Sequence, residues 1–277
     1  MQRTLAPPAR RVARVSGVER LGAYHVITAL DEDGPDDPQP GQFYMLACER
    51  GWGGGGDERP YLPRAFSFAR AWPAPDGLEL SFLLEAVGPG TERLAGLCAD
   101  EGLALVGPLG VGFGEPAAGT RCLLVGGGIG VAPLLSLEEE LERRSGPGAM
   151  RVLLGFRSAL HAQAAALFSR AVSVVTDDGS VGRQALVTEL LAAELDADPA
   201  ATVYACGPPG MLEGVRALCA EHDVGAQLAL ESGMACGYGA CFGCVVPTRH
   251  GYVRLCVDGP VLDAELLESA VVPGAGH

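Results

Sequence analysis

The chain has 277 residues, 48% hydrophobic and 19% charged, which gives ample material for a core and suits two domains with a small third piece. Thirty-four acidic against 20 basic residues leave a formal charge of −14, which argues against nucleic acid, because backbone binding needs Lys and Arg on the phosphates. No segment reads as membrane-spanning: the longest uncharged apolar run, Cys122–Leu137, carries four glycines and a proline and is shorter than the roughly 20 residues a span needs.

Arg10 and Arg11 are not followed by an apolar stretch, so no secretory signal is expected and the cytoplasm is the expected compartment. Forty glycines and 20 prolines fall in short clusters between apolar runs, which suits a loop-rich enzyme better than a disordered chain.

Short β-like runs come first: Arg11–Val15, Ala23–Ala29, Gln42–Ala47, Ala65–Ala69, Leu78–Leu83 and Leu103–Gly107. Strands at this spacing without long helical patterns predict a small antiparallel barrel or sandwich, with 49–59 as a flexible loop. Arg64, Ala65, Phe66 and Ser67 sit in one strand, where an outward arginine beside an alternating serine suits a phosphate or diphosphate. Glu85-Ala86-Val87-Gly88-Pro89-Gly90-Thr91 then leads into a short helix expected over Glu92–Leu97, with Gly90 and Thr91 as its cap and a second anion site. Each feature alone reads better as an ordinary strand arginine or an ordinary helix cap. Together, ahead of a nucleotide domain, they favour a flavin diphosphate.

From Thr120 the pattern changes to alternating strands and helices. Strands are expected at Cys122–Val125, Arg151–Phe156, Val172–Thr176 and Thr202–Cys206, and helices at Pro133–Arg144, Ala162–Ser169, Val187–Leu195 and Pro209–His222. That order predicts a parallel sheet with helices on both faces. Gly126, Gly127, Gly128 and Gly130 fill the turn between the first strand and its helix, where a pyrophosphate can approach free N–H groups. Cys206-Gly207-Pro208-Pro209-Gly210-Met211 ends a later strand in the same way, so both loops are expected to border one crevice.

Nine cysteines are many for a cytosolic chain, and Cys236, Cys241, Cys244 and Cys256 fall within 21 residues. Their spacing, C-x4-C-x2-C-x11-C, has the order of plant-type [2Fe–2S] ligation, and intervening glycines would let the backbone wrap a compact cluster. A structural zinc site is the alternative at this point, although zinc sites usually show paired C-x2-C elements. Cys48, Cys98, Cys122 and Cys219 read as small buried hydrophobes.

The order Arg-x-Phe-Ser, Gly-x-Gly-Thr, Gly-Pro-Leu-Gly, Gly-Gly-Gly-Ile-Gly-x-Ala-Pro-Leu and Cys-Gly-Pro-x-x-Met resembles the ferredoxin reductase-type flavoprotein superfamily. The ending, Leu230-Glu231-Ser232-x-Met234-x-Cys236-Gly237-x-Gly239-x-Cys241-x-x-Cys244 with Cys256-Val257-Asp258-Gly259-Pro260, resembles the electron-transfer subunit of class 1B dihydroorotate dehydrogenase. The resemblance spans roughly residues 10–265. It implies an FAD-binding barrel over 1–116, an NAD-binding α/β domain over 117–228 and a [2Fe–2S] subdomain over 229–277. It implies FAD contacts from Arg64, Ala65, Phe66, Ser67, Leu83, Leu84, Glu85, Gly90 and Thr91, and the nucleotide near Gly127, Gly128 and Gly130, with Cys206 and Gly207 beside the nicotinamide. The partner it implies is an FMN-containing catalytic subunit that oxidises dihydroorotate, in a heterotetramer holding two of each chain.

The sequence departs from that family in two places. Ala65 stands where proline is common, and an insertion over 51–59 lengthens the loop before the flavin motif. No residue here is an evident base for dihydroorotate, so the chain is expected to carry electrons rather than to oxidise that substrate. A reductase subunit of a hydrogenase or oxygenase complex, and a non-catalytic zinc or nucleotide-sensing module, are the competing readings. NAD against NADP stays open, since Arg157 and Ser158 after the second α/β strand could meet a 2′-phosphate.

Overall fold

The computed structural model describes residues 10–53, 60–145 and 150–272. Six strands, β1 (Arg11–Leu21), β2 (Tyr24–Asp31), β3 (Phe43–Cys48), β4 (Arg64–Ala74), β5 (Gly77–Glu85) and β6 (Gly102–Leu109), close into an antiparallel barrel in the order β1-β2-β5-β4-β3-β6. Helix α1 (Pro89–Ala95) links β5 to β6. Alternate residues point inwards, and Tyr44 fills the middle with its ring edge-on to Phe68 and Phe82. Strand β4 runs well past Ala69 because the register shifts between Phe68 and Arg70, a bulge that breaks the period-two pattern without ending the pairing. The expected loop contains residues 54–59, which lie outside the described residues.

The second layer holds β7 (Arg121–Gly127), α2 (Ala132–Ser145), β8 (Met150–Phe156), α3 (Ala159–Ala162), β9 (Val172–Thr176), β10 (Arg183–Gln184), α4 (Val187–Ala197), β11 (Ala201–Cys206), α5 (Pro209–Glu221) and β12 (Gly225–Ala229). The C-terminal piece adds the hairpin β13 (Val245–Thr248) and β14 (Gly251–Arg254), α6 (Leu255–Asp258) and β15 (Val261–Asp263). The sheet order is β10-β9-β8-β7-β11-β12-β15, parallel except for β15, which lies antiparallel to β12. The C-terminal piece therefore supplies an edge strand to the nucleotide-type sheet.

Alternation along β7 shows how two faces are built. Leu123 and Val125 pack in one core with Leu191 and Leu195 of α4 and Leu212 and Val215 of α5. Leu124 joins the opposite core with Leu134, Leu135 and Leu141 of α2, and with Tyr24, Ala69 and Leu83 of the barrel. One sheet face thus carries α4 and α5, while the other carries α2, the α3 segment and one side of the barrel.

The helix expected over Ala162–Ser169 is not formed. The four-residue α3 gives way to a 3₁₀ turn at Gln163–Leu167, and Phe168 is extended. Tertiary partners claim the backbone that a helix would use: Arg70 of β4 donates to the Leu167 carbonyl, and buried Glu138 of α2 accepts from Ser169 and Arg170 N–H at 3.1 Å each. Cys98 is exposed rather than buried, because it falls in the turn after α1.

Candidate functional site

Two adjoining cavities lie where barrel, sheet and C-terminal piece meet. The larger, about 670 Å³, opens beyond the carboxyl ends of β7, β8 and β11, where ligands bind in open α/β sheets. Gly127, Gly128 and Gly130 from the first turn and Gly207 from the later one line it together, as the sequence predicts. Gly130 lies against the Cys206–Gly207 peptide, so closely that a Cβ there would sit 2.6 Å from the Cys206 carbonyl. Glu85 and Tyr24 reach this cavity from the barrel, with the His161 ring edge-on to Tyr24 and 3.4 Å from the Glu85 carboxylate. Arg157 also lines it, whereas Ser158 turns its hydroxyl to His161 Nδ1 at 3.0 Å.

The smaller cavity, about 280 Å³, is floored by Ala65, Phe66 and Ser67 of β4 with Leu83 of β5, and roofed by Cys206 and Glu231. Ile129, Gly130 and Glu231 line both cavities, so the two are one continuous site. Leu84 points instead into the barrel interior, as its place next to Leu83 in a strand requires. Arg64, Gly90 and Thr91 form a separate group at the barrel's edge. The Arg64 guanidinium lies over Gly90, its Nε 2.8 Å from where a Cβ would be, and its Nη1 donates to the Leu62 carbonyl at 2.6 Å. The cap differs from expectation. Helix α1 begins at Pro89, Gly88 is the cap residue, and Thr91 lies in the first turn with its hydroxyl accepting from Val87 and Gly88 N–H at 2.9 and 3.1 Å. Proline at the first helical position moves the start upstream, since its missing N–H costs nothing there.

Two groups in the shared wall have their ionisation opposed by their surroundings. Burial pushes the Cys206 thiol well above its ordinary value, and the Glu231 carboxylate adds to that. Burial pushes Glu231 up as well, although the residue keeps surface facing the cavities. A neutral thiol and a carboxyl that ionises reluctantly thus line the smaller cavity together.

The four sequence-predicted thiols lie as two pairs, Cys236 with Cys241 inside the loop and Cys244 at its end with Cys256 on α6. Cys244 Sγ lies 3.1 Å from Cys256 Sγ, and Cys241 N–H points to Cys236 Sγ at 3.4 Å. Further N–H groups aim at sulfur, from Gly243 to Cys241 at 3.4 Å and from Cys256 to Cys244 at 3.5 Å. Burial opposes ionisation of Cys236, but N–H groups of Cys241, Tyr238 and Ala240 bring its thiol down to about 6. Burial pushes Cys256 up to about 12, with the Cys244 hydrogen bond and charge adding to it. Among the described residues no three acidic, His or Cys side chains gather as for a single metal ion.

Residues 231–268 match a family model described as the iron-sulfur cluster binding domain of dihydroorotate dehydrogenase B, and residues 124–217 match the oxidoreductase NAD-binding domain. The chain is 35% identical to the dihydroorotate dehydrogenase B (NAD(+)) electron transfer subunit of Caldanaerobacter subterraneus subsp. tengcongensis, covering 82% of this chain and 86% of that one. It is 36% identical to the subunit of the same name from Bacillus velezensis, again over 82% and 86%. The chain belongs to the family of dihydroorotate dehydrogenase B electron transfer subunits. Its fold is shared by a chain in the structure of an NADH-dependent reduced ferredoxin-NADP oxidoreductase, at TM-score 0.76 and 24% identity over 94% and 90% of the two chains. It is shared more loosely by a ferredoxin NADP+ reductase from Neisseria gonorrhoeae with bound FAD and NADP, at TM-score 0.57 and 18% identity over 77% and 91%.

The residues of this electron transfer subunit fit the groups its family carries. Ser232 Oγ, on the wall of the smaller cavity, is buried with no hydrogen-bond partner, as is Tyr24 Oη beside the larger one. Buried polar atoms of that kind call for a polar partner. The four thiols supply the soft donors that iron–sulfur clusters take, already sorted into pairs.

Sequence reasoning missed Glu231 and Ser232 as site residues, though a signal was present. Ala229 pairs with Cys206 where β12 and β11 end together, so the next residues necessarily enter the crevice. Tyr24 and His161 carried no signal, since only the docking of the barrel on α3 brings them there.

Proposed function

We propose that the chain takes electrons from a partner dihydroorotate-oxidising subunit through its cysteine loop and delivers them to NAD in the larger cavity. The observation that carries this is a single line of contacts. The cysteine loop rests on β3, β3 pairs with the flavin-motif strand β4, and the β4 cavity shares Ile129, Gly130 and Glu231 with the nucleotide cavity.

When bound, FAD exchanges electron pairs with a nicotinamide and single electrons with a [2Fe–2S] cluster. Ala65, Phe66, Ser67 and Leu83 would hold the flavin ring, with Arg64, Gly90 and Thr91 on its diphosphate. Gly127, Gly128 and Gly130 would admit the nucleotide's pyrophosphate, and Cys206, Gly207 and Glu85 would border the nicotinamide. Cys236 and Cys241 would take one iron, and Cys244 and Cys256 the other. Buried Cys206 and Leu230 would keep water from the wall between flavin and nicotinamide.

Exposed Tyr238 and Phe242, inside the cysteine loop, would form the face that meets the partner. The divisions 1–116, 117–228 and 229–277 serve as functional units, with β15 tying the third to the second. No helix among the described residues is long and apolar enough to cross a membrane, and a cytoplasmic place suits a chain with four unpaired cluster thiols.

Cys241→Ser tests the relay. Expected are loss of the cluster's visible and EPR signals, loss of NAD reduction coupled to the partner, and retained NADH oxidation with an artificial dye. A variant that still coupled fully would contradict it.

A further inference from the structure

Arg254, the last residue of β14, reaches two separate spans of the cysteine loop. Its Nη1 donates to the Gly239 carbonyl at 3.0 Å, inside the span between Cys236 and Cys241. Its guanidinium carbon lies 5.3 Å over the ring of Phe242, inside the span between Cys241 and Cys244. Its backbone faces Val245, the residue after Cys244, and its own chain reaches the fourth thiol, Cys256, two residues on. One planar cation therefore touches both arms of the loop from the residue that leads into α6, where the last thiol sits.

The loop needs such a hold. Phe242 has φ +60, a left-handed backbone that costs a non-glycine residue about 1–2 kcal/mol and persists only where its surroundings fix it. The ring is exposed, so burial does not fix it, and the contact over its face is with Arg254. Among the described residues the Arg254 guanidinium makes no ion pair: the Asp258 carboxylate accepts from its backbone N–H at 2.9 Å instead, which leaves the guanidinium on the loop. Four thiolates around two ferric ions and two sulfides carry net negative charge, and one more electron makes it more negative. A fixed cation nearby favours the reduced state.

We propose that Arg254 is the positioning residue of the iron–sulfur centre, holding Gly239 and Phe242 so that the thiols meet in pairs, and raising the cluster's reduction potential by its charge. This rests on the cysteine loop being a [2Fe–2S] site. Arg254→Gln removes the charge and keeps an amide, while Arg254→Lys keeps the charge but lacks the planar face.

The test uses the full chain loaded with FAD and cluster, read by EPR-monitored redox titration and by bleaching with an iron chelator. Arg254→Gln is expected to lower the midpoint potential and bleach several-fold faster. Arg254→Lys is expected to keep a potential near that of the unaltered chain and to bleach faster. Should Arg254→Gln hold no cluster while Arg254→Lys does, at an unaltered potential, the proposal is equally supported. Potentials and bleaching rates unchanged in both variants would overturn it while leaving the cluster site intact. An unaltered chain that gives no [2Fe–2S] signal after reconstitution would overturn the cluster site and this proposal together.

Discussion

Gly237 of the cysteine loop lies directly on Met45 of β3: a Cβ on Gly237 would sit 2.5 Å from Met45 Cγ and 2.8 Å from its sulfur. Met45 pairs with Ala65 across the β3–β4 ladder, and Ala65 lines the smaller cavity. This contact therefore sets how near the thiols come to the flavin-motif strand. Gly237 also has φ +81, so any side chain is strained there by about 1–2 kcal/mol before it meets Met45.

Gly237→Ala is accordingly expected to push the loop outward. In the loaded protein, NADH should reduce the flavin at an unaltered rate, while the cluster's EPR signal should grow several-fold more slowly. Adding Met45→Ala should restore part of that rate, because it removes the atoms in the way. Rapid-freeze EPR on the three chains decides it, and equal rates in all of them would mean that the contact does not control electron passage.

Glu231 stands in the wall common to both cavities, and burial raises its carboxyl pKa above the ordinary 4.5. The carboxylate dominates only above that raised value, so the rate of flavin reduction by NADH is expected to change as pH crosses it. Glu231→Gln keeps the shape and removes the charge. FAD and iron contents should stay as they are, flavin reduction should slow by roughly tenfold (about 1.4 kcal/mol), and the acid limb of the pH profile should vanish. Stopped-flow reduction across pH checks both.

The barrel, the parallel sheet and the cysteine loop were legible because each rests on a local pattern: period-two runs, alternating elements, and thiols at fixed spacing. The sequence pattern could not show what depends on docking. The segment after α3 follows Arg70 and Glu138 rather than its own alanines. Strand β4 crosses a bulge that its pattern hides. Leu83 and Leu84 read alike in the sequence, but neighbours in a strand face opposite ways, so Leu84 stays in the barrel while Leu83 floors the cavity. Glu231 stands in a recognisable motif, but its place in the crevice comes from β11 and β12 ending side by side.

The C-terminal tail is held by charge. Glu213 of α5 accepts from Arg216 Nη2 at 2.6 Å, from Ala270 N–H at 2.7 Å and from Ser269 Oγ at 3.1 Å. Chiefly through the Arg216 hydrogen bonds, its pKa falls from 4.5 to about 2. The folded value lies below the unfolded one, so its stabilising effect is full above about pH 4.5 and is lost as pH falls towards 2. Partial exposure screens the group, and about 1 kcal/mol is expected from it at neutral pH. Thermal unfolding of Glu213→Gln should show a lower Tm than the unaltered chain at pH 7, with the gap closing as pH drops below 4.5. A gap independent of pH would mean that packing, not charge, holds the tail.

Tyr238 is 53% exposed inside the span between Cys236 and Cys241, where a large ring in water gains nothing for the isolated fold. Its phenol makes no hydrogen bond to any of the described residues, so a serine there should leave the loop's own contacts unchanged. Tyrosines so placed are typical anchors of protein interfaces, costing about 1–3 kcal/mol when truncated there. Tyr238→Ser is thus expected to keep FAD, iron and NADH–dye activity while weakening assembly with the catalytic subunit by roughly tenfold to a hundredfold. Analytical ultracentrifugation or titration calorimetry of the two chains measures that directly. Unaltered affinity would place the ring on free surface and move the docking face away from the cysteine loop, with a longer path for the electron as the consequence.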